Sequence, residues 1–155
     1  GNHDHETTFK QVFGDTTGLR DEAGFRFFSF WDRLAADRQP ERIGTSANLF
    51  HTALSAPEHD CFQIHLQHYM IDPPTFSRGW QYEYKNALNM KHALEKSGRV
   101  RAVLSGHYHP GSLVVGVGDI IHSLPPAFCE APHTFRIYDF DDFTTPAIKD
   151  LALDP

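Results

Sequence analysis

Positive charge is what this sequence is short of. Fourteen Lys and Arg face 20 Asp and Glu, a net charge of −6 with the histidines neutral. A protein that grips a nucleic-acid backbone needs a basic patch to displace counterions, so no nucleic-acid backbone binding is expected. Long apolar runs are missing too. Nothing approaches the roughly 18 consecutive residues of a bilayer-spanning helix, and no membrane association is expected. Cysteine is scarce: Cys61 and Cys129 are the only two, which excludes a disulfide framework. Cys61 stands just ahead of a strand-like run and reads as core. Internal repeats and low-complexity tracts are absent. The compartment stays open, with the cytoplasm favoured.

What the sequence does have is enough apolar residue for one core: 40% of 155 residues are hydrophobic and 22% charged, the balance of a soluble globular domain. It is also rich in histidine and phenylalanine, with 11 and 13 of them. The histidines are scattered, often at the ends of apolar runs, which is how a metal site assembled from several loops looks. His51, His59 and His92 read as ordinary surface or core histidines. His5 and His122 receive no role; His122 stands beside "SLPPAFCEAPH", read as a proline-rich wall.

Periodicity gives a coarse element order. "ETTFKQVFG" (6–14) reads as a short helix and "FRFFSFW" (25–31) as a strand. "AADRQPERIG" (35–44) is a surface loop broken by proline. "SANLFHTALSA" (46–56) has helical spacing, with Ser46 as N-cap. In "CFQIHLQH" (61–68), Phe62, Ile64 and Leu66 alternate with polar residues, the period of a strand. "WQYEYKNALNMKHALEKSG" (80–98) is the clearest helix, with Tyr84, Ala87, Leu88 and Leu94 as its apolar face, Lys96 in the last turn and Gly98 ending it. "VRAVLSGHYH" (100–109) is a strand running into a loop, "SLVVGVGDIIHSL" (112–124) a hairpin turning near Gly116 and Gly118, and "TFRIYDF" (134–140) a last strand. The fold class expected is α/β with a mixed sheet.

Three stretches put histidine at a strand end or in a loop: "GNHD" at 1–4, "LQHYM" at 66–70 and "SGHYHP" at 105–110. Strand ends are where α/β folds place their sites. Singly none is strong; the three in this order are specific.

With these motifs the sequence resembles the calcineurin-like metallophosphoesterases. That family carries five motifs in order: Asp-x-His, Gly-Asp-x-x-Asp, Gly-Asn-His-Asp/Glu, a single His after a strand, and Gly-His-x-His. The last three are here and span residues 1 to about 110; the first two are not. "GDTTG" (14–18) has Gly18 where an aspartate is needed, and "GDIIH" (118–122) comes after the last motif. Residues 1–155 are therefore expected to be the C-terminal portion of a single phosphoesterase domain. Its fold would be the family's β-sandwich of mixed sheets flanked by helices, lacking its N-terminal strands.

The resemblance implies a metal-dependent phosphoester hydrolase. Two divalent or trivalent ions (Mn, Fe or Zn) would generate the nucleophile and neutralise phosphoryl charge. Asn2, His68 and His107 would bind one ion and His109 the other. His65 competes with His68 for the ligand role, but lies inside the strand, whereas His68 leads the loop as the family's ligand does. His3 would be the general acid and Asp4 would fix its tautomer. The partner implied is a small-molecule phosphoester, phosphodiester or phosphomonoester, of nucleotide type in the branch most similar. Tyr69, Phe76, Trp80 and Tyr108 would stack on a base or serve as core. Two alternatives stand beside this: a non-catalytic binding or scaffold member of the fold, and an enzyme whose N-terminal segment is a separate chain.

Overall fold

The computed structural model describes residues 2–55, 61–72, 82–140 and 145–153. Gly1, His59, Phe76 and Trp80 lie outside them. Helix α1 (Glu6–Phe13) is closed by Gly14 at φ 83° and buries none of its residues, as a short segment with two aromatics on one edge allows. Next comes a hairpin that periodicity alone did not reveal, β1 (Gly18–Glu22) against β2 (Phe25–Ser29). Its turn residues Ala23 and Gly24 have φ 48° and 82°, the positive values a two-residue hairpin turn demands. Alanine in place of Asn or Asp there hid the turn, and the charged, exposed β1 hid the strand.

A ribbon of β3 (Arg33–Leu34) and β4 (Pro40–Glu41) occupies the expected loop. Helix α2 (Gly44–Ser55) starts two residues earlier than expected. Ser46 is not its cap: its Oγ donates to the Trp31 carbonyl at 2.9 Å and lies 3.1 Å from Thr17 Oγ1, fastening the helix to the sheet. Strand β5 (Phe62–Leu66) follows, then α3 (Ala87–Ser97).

The expectation of a helix from residue 80 is corrected here. Residues 82–86 form a turn and a bridge between Met70 and Glu83, with Tyr84 N–H donating to the Met70 carbonyl. The buried face of α3 is Ala87, Met90 and Leu94, and Leu88 is 64% exposed. Tyr84 is buried, but ahead of the helix, because its hydroxyl is engaged elsewhere. Gly98 does end α3, at φ 65°.

Strands β6 (Val100–Leu104), β7 (Ser112–Val115) and β8 (Ile121–Leu124) complete a six-stranded sheet of order β1-β2-β5-β6-β8-β7. Strands β2, β5, β6 and β8 run parallel; β1 and β7 are antiparallel edges. Finally β9 (Thr134–Asp139) pairs with β10 (Ala147–Ala152), a strand without sequence forewarning. The protein is thus α/β with a mixed sheet.

Alternation divides the core. On one face Phe28, Val103 and Ile120 meet Phe50 and Ala53 of α2 and Met90 and Leu94 of α3. Both crossover helices lie on this side, as two right-handed β-α-β connections running in the same direction across a sheet require. On the other face Phe25, Ile64, Ala102 and Ile121 pack against Phe140 and Ile148, beside and within the β9–β10 pair. The C-terminal ends of the four parallel strands gather along one edge, and the motif histidines follow those ends.

Candidate metal centre

His68 comes two residues after β5 and His107 three after β6. The two strands are neighbours in parallel register, Leu66 opposite Leu104, so their following loops leave the sheet side by side. Gly106 makes the approach possible. Its N–H donates to the His68 carbonyl at 3.0 Å, and a Cβ at this position would come within 3.3 Å of His68 Nδ1. His107 then takes φ 68°, an uncommon conformation for a residue with a side chain. That backbone turns its imidazole back onto His68.

The result is a convergence of two side chains on His68 Nε2. His68 Nε2 lies 2.8 Å from Asn2 Oδ1 and 3.1 Å from His107 Nδ1, with the two rings 4.9 Å apart. The amide oxygen can only accept a hydrogen bond, and a single proton on His68 Nε2 serves one neighbour at a time. Two imidazole nitrogens and an amide oxygen this close together could hold a cation. Two donors at right angles on one transition-metal ion, each roughly 2.1 Å from it, stand about 3 Å apart, and the two contacts of His68 Nε2, at 2.8 and 3.1 Å, have that spacing. Two imidazoles and an amide oxygen suit Mn, Fe or Zn. Burial holds the His68 pKa down, to about 4, with His107 pushing the same way and Asp4 opposing. His68 is therefore neutral near pH 7, the protonation state a ligand needs.

The other sequence-derived residues divide. His109 does not join the convergence: it is exposed, and its Nδ1 is 2.5 Å from Glu130 Oε1. His3 and Asp4 are exposed in the turn before α1, within electrostatic reach of His68. His65 is fully buried inside β5, its Nε2 on Gln63 Oε1 at 3.0 Å among the rings of Phe28, Phe30 and Phe50. That is a core histidine, and His68 is the one beside Asn2 and His107. Tyr69 is buried against His107, rings 5.0 Å apart, as packing. His122 is buried in β8; His51 and His92 are exposed and His5 precedes α1. Cys61 is only half-buried, so its reading as core is corrected; both cysteines are free. Among the described residues no group of three or more His, Cys, Asp or Glu side chains is arranged to hold a metal ion. The convergence above has two such residues and an asparagine.

Sequence reasoning missed what stands behind the histidines. Arg42 forms a bidentate pair with Asp32, at 2.9 and 2.8 Å, with both side chains almost wholly buried. Its Nη2 also donates to Gln67 Oε1 at 2.9 Å, and its guanidinium lies 3.9 Å over the Phe30 ring. The Tyr84 hydroxyl donates to Asp32 Oδ2 at 2.6 Å, and burial raises its pKa well above 10, so it keeps that proton. Gln67 Nε2 reaches the Tyr69 carbonyl at 2.7 Å and Ser105 Oγ at 3.3 Å. Gln67 precedes His68 and Ser105 precedes Gly106-His107. The network therefore joins the roots of both histidine loops. The only sequence signal for it was polar residues inside apolar runs.

No protein-family model matches this chain, and no curated protein sequence matches it.

Proposed function

We propose that these residues carry part of a dinuclear phosphoester hydrolase site of the calcineurin-like metallophosphoesterase kind. One observation carries the reading: Asn2 and His107, 66 and 39 residues from His68 along the chain, both place a donor atom against His68 Nε2, beside the ends of the parallel strands β5 and β6. The β9–β10 pair over the second face of the main sheet supports the β-sandwich form of that fold.

In this reading Asn2, His68 and His107 hold one ion through Oδ1, Nε2 and Nδ1, and His109 faces the position of the second. The ions, when bound, neutralise phosphoryl charge and supply an activated water. His3, exposed at the turn before α1, delivers a proton to the leaving oxygen, and Asp4 keeps its ring in the required orientation. The substrate is a small phosphoester, monoester or diester, with nucleotides among the candidates. Further ligands would be required, of the kind that an Asp-x-His and a Gly-Asp-x-x-Asp motif supply.

The pairing of His109 with Glu130, away from the other ligands, favours a second reading in which the fold binds one ion or none and acts as a scaffold. Hydrolysis separates the two. With Mn²⁺ and bis-nitrophenyl phosphate, the 155 residues alone should stay at background, and adding a segment that carries the two missing motifs should bring chelator-sensitive turnover. Background rates with that segment bound would leave the scaffold reading standing and end the hydrolase one.

A further inference from the structure

Beside His107 and His109 the surface opens into a groove of about 470 Å³, within the size range of small-molecule sites. Its histidine end belongs to the loop after β6. Its walls come from the loop after β8 and the start of β9: Pro125, Pro126, Phe128 and Phe135. Phe128 is 55% and Phe135 37% exposed, two rings left in water next to a polar site.

The wall is fixed relative to the histidines. Ala127 N–H donates to the His109 carbonyl at 2.9 Å, and Glu130 holds the His109 ring. At Gly111, φ 76°, a Cβ would come within 2.8 Å of Pro126 N, so the backbone there packs directly on the proline wall. The arrangement is preorganised, which reduces the ordering cost of binding.

Charge decides what the groove accepts. Arg136 is the one Lys or Arg on its described lining, and it is committed. Its Nε and Nη2 pair with Asp150 at 2.6 and 2.8 Å. Its Nη1 donates to Ser112 O, Ser123 Oγ and Leu124 O at 3.0 to 3.3 Å. Its side chain is 9% exposed. A second phosphate would find no free Lys or Arg on this described lining. A neutral ring would find two phenylalanines and two prolines.

We propose that this groove is the subsite for the organic group of the substrate, and that the group is an uncharged aromatic ring; the substrate class is then an aryl or other ring-bearing phosphoester rather than a polyphosphate. This rests on the phosphoester reading above. The test is equilibrium binding to the 155-residue protein of 1-naphthol, 1-naphthyl phosphate, methyl phosphate, pyrophosphate and inorganic phosphate, with and without Mn²⁺. It is repeated on Phe128→Ala/Phe135→Ala, whose side chains are exposed, with circular dichroism as the folding control. Wild type should bind naphthyl phosphate about tenfold more tightly than methyl phosphate, and the double variant should lose about tenfold in naphthol affinity and close that gap. Naphthol affinity unchanged in the variant, or pyrophosphate bound more tightly than naphthyl phosphate, would overturn the subsite. Phosphate binding indifferent to Mn²⁺ would overturn the phosphoester reading beneath it, while the naphthol arm still reads the groove.

Discussion

Each histidine has its own environment, and the environment sets its chemistry. His68 is half-buried beside two lone-pair donors; His65, three residues earlier, sits among phenylalanines; His3 stands in water. On the proposed reading His3 acts as a proton donor and not as a ligand. With the segment that carries the two missing motifs supplied, His3→Ala should lower turnover by roughly 10²–10⁴ on substrates with poor leaving groups, far less on nitrophenyl esters, and leave metal content unchanged. Equal losses on both substrate types, or loss of metal, would make His3 structural or a ligand. The buried histidines carry a second consequence. Burial holds His65 at about 3 and His122 at about 4, and His65 Nδ1 and both His122 nitrogens lack hydrogen-bond partners. The unfolded chain takes up these protons near pH 6.5, the folded chain only well below. Their neutral forms thus stabilise the fold fully above about pH 6.5, and that contribution is lost as pH falls toward 4, at about 1.4 kcal/mol per pH unit for each group. Urea midpoints at pH 7 and pH 5 should show a steep drop, and His65→Phe should make it shallower. An equal drop in the variant would mean that carboxylates, not these imidazoles, set the acid sensitivity.

Elements hold the site through a buried polar network. Asp32 follows β2, Arg42 precedes α2, Gln67 follows β5 and Tyr84 precedes α3, and all four meet. Removing one partner of a buried ion pair leaves an uncompensated charge, so Asp32→Ala should cost about 3–5 kcal/mol of unfolding free energy. Replacing both, Asp32→Leu with Arg42→Met, should recover part of it, because no buried charge is left uncompensated, while the Tyr84 hydroxyl and Gln67 Oε1 still lose their partners. A double variant as unstable as the single one would show that the network matters for its shape and not its charge balance. These elements also mark how far the sequence could be read. β5, with Phe62, Ile64 and Leu66 alternating, and α3's end at Gly98 were legible from local pattern, although in β5 the polar positions Gln63 and His65 are fully buried. β1 and β10 were not: their exposed, charged residues show no alternation strong enough to read. The start of α3 was misplaced because Tyr84 is held by Asp32 and Arg42, a tertiary contact that no window of sequence contains. That Asn2, His68 and His107 lie together was anticipated by the motifs, whereas Gln67, Arg42 and Glu130 act through contacts 21 to 25 residues distant in sequence.

At the scale of the whole molecule, four parallel strands put their C-terminal ends on one edge, and two antiparallel strands close the sheet on either side. The edge strand β1 carries Arg20, Asp21 and Glu22, charges that discourage pairing with another chain. The sheet thereby brings two histidine loops together, with Asn2 against His68, and everything proposed about function depends on that cluster being a cation site. Titration of the 155-residue protein with Mn²⁺, read by electron paramagnetic resonance, tests this directly. The account predicts one weakly held ion, lost in His68→Ala and in His107→Ala and retained in His65→Phe. No bound ion in the wild type, or an ion that both alanine variants keep, would contradict it.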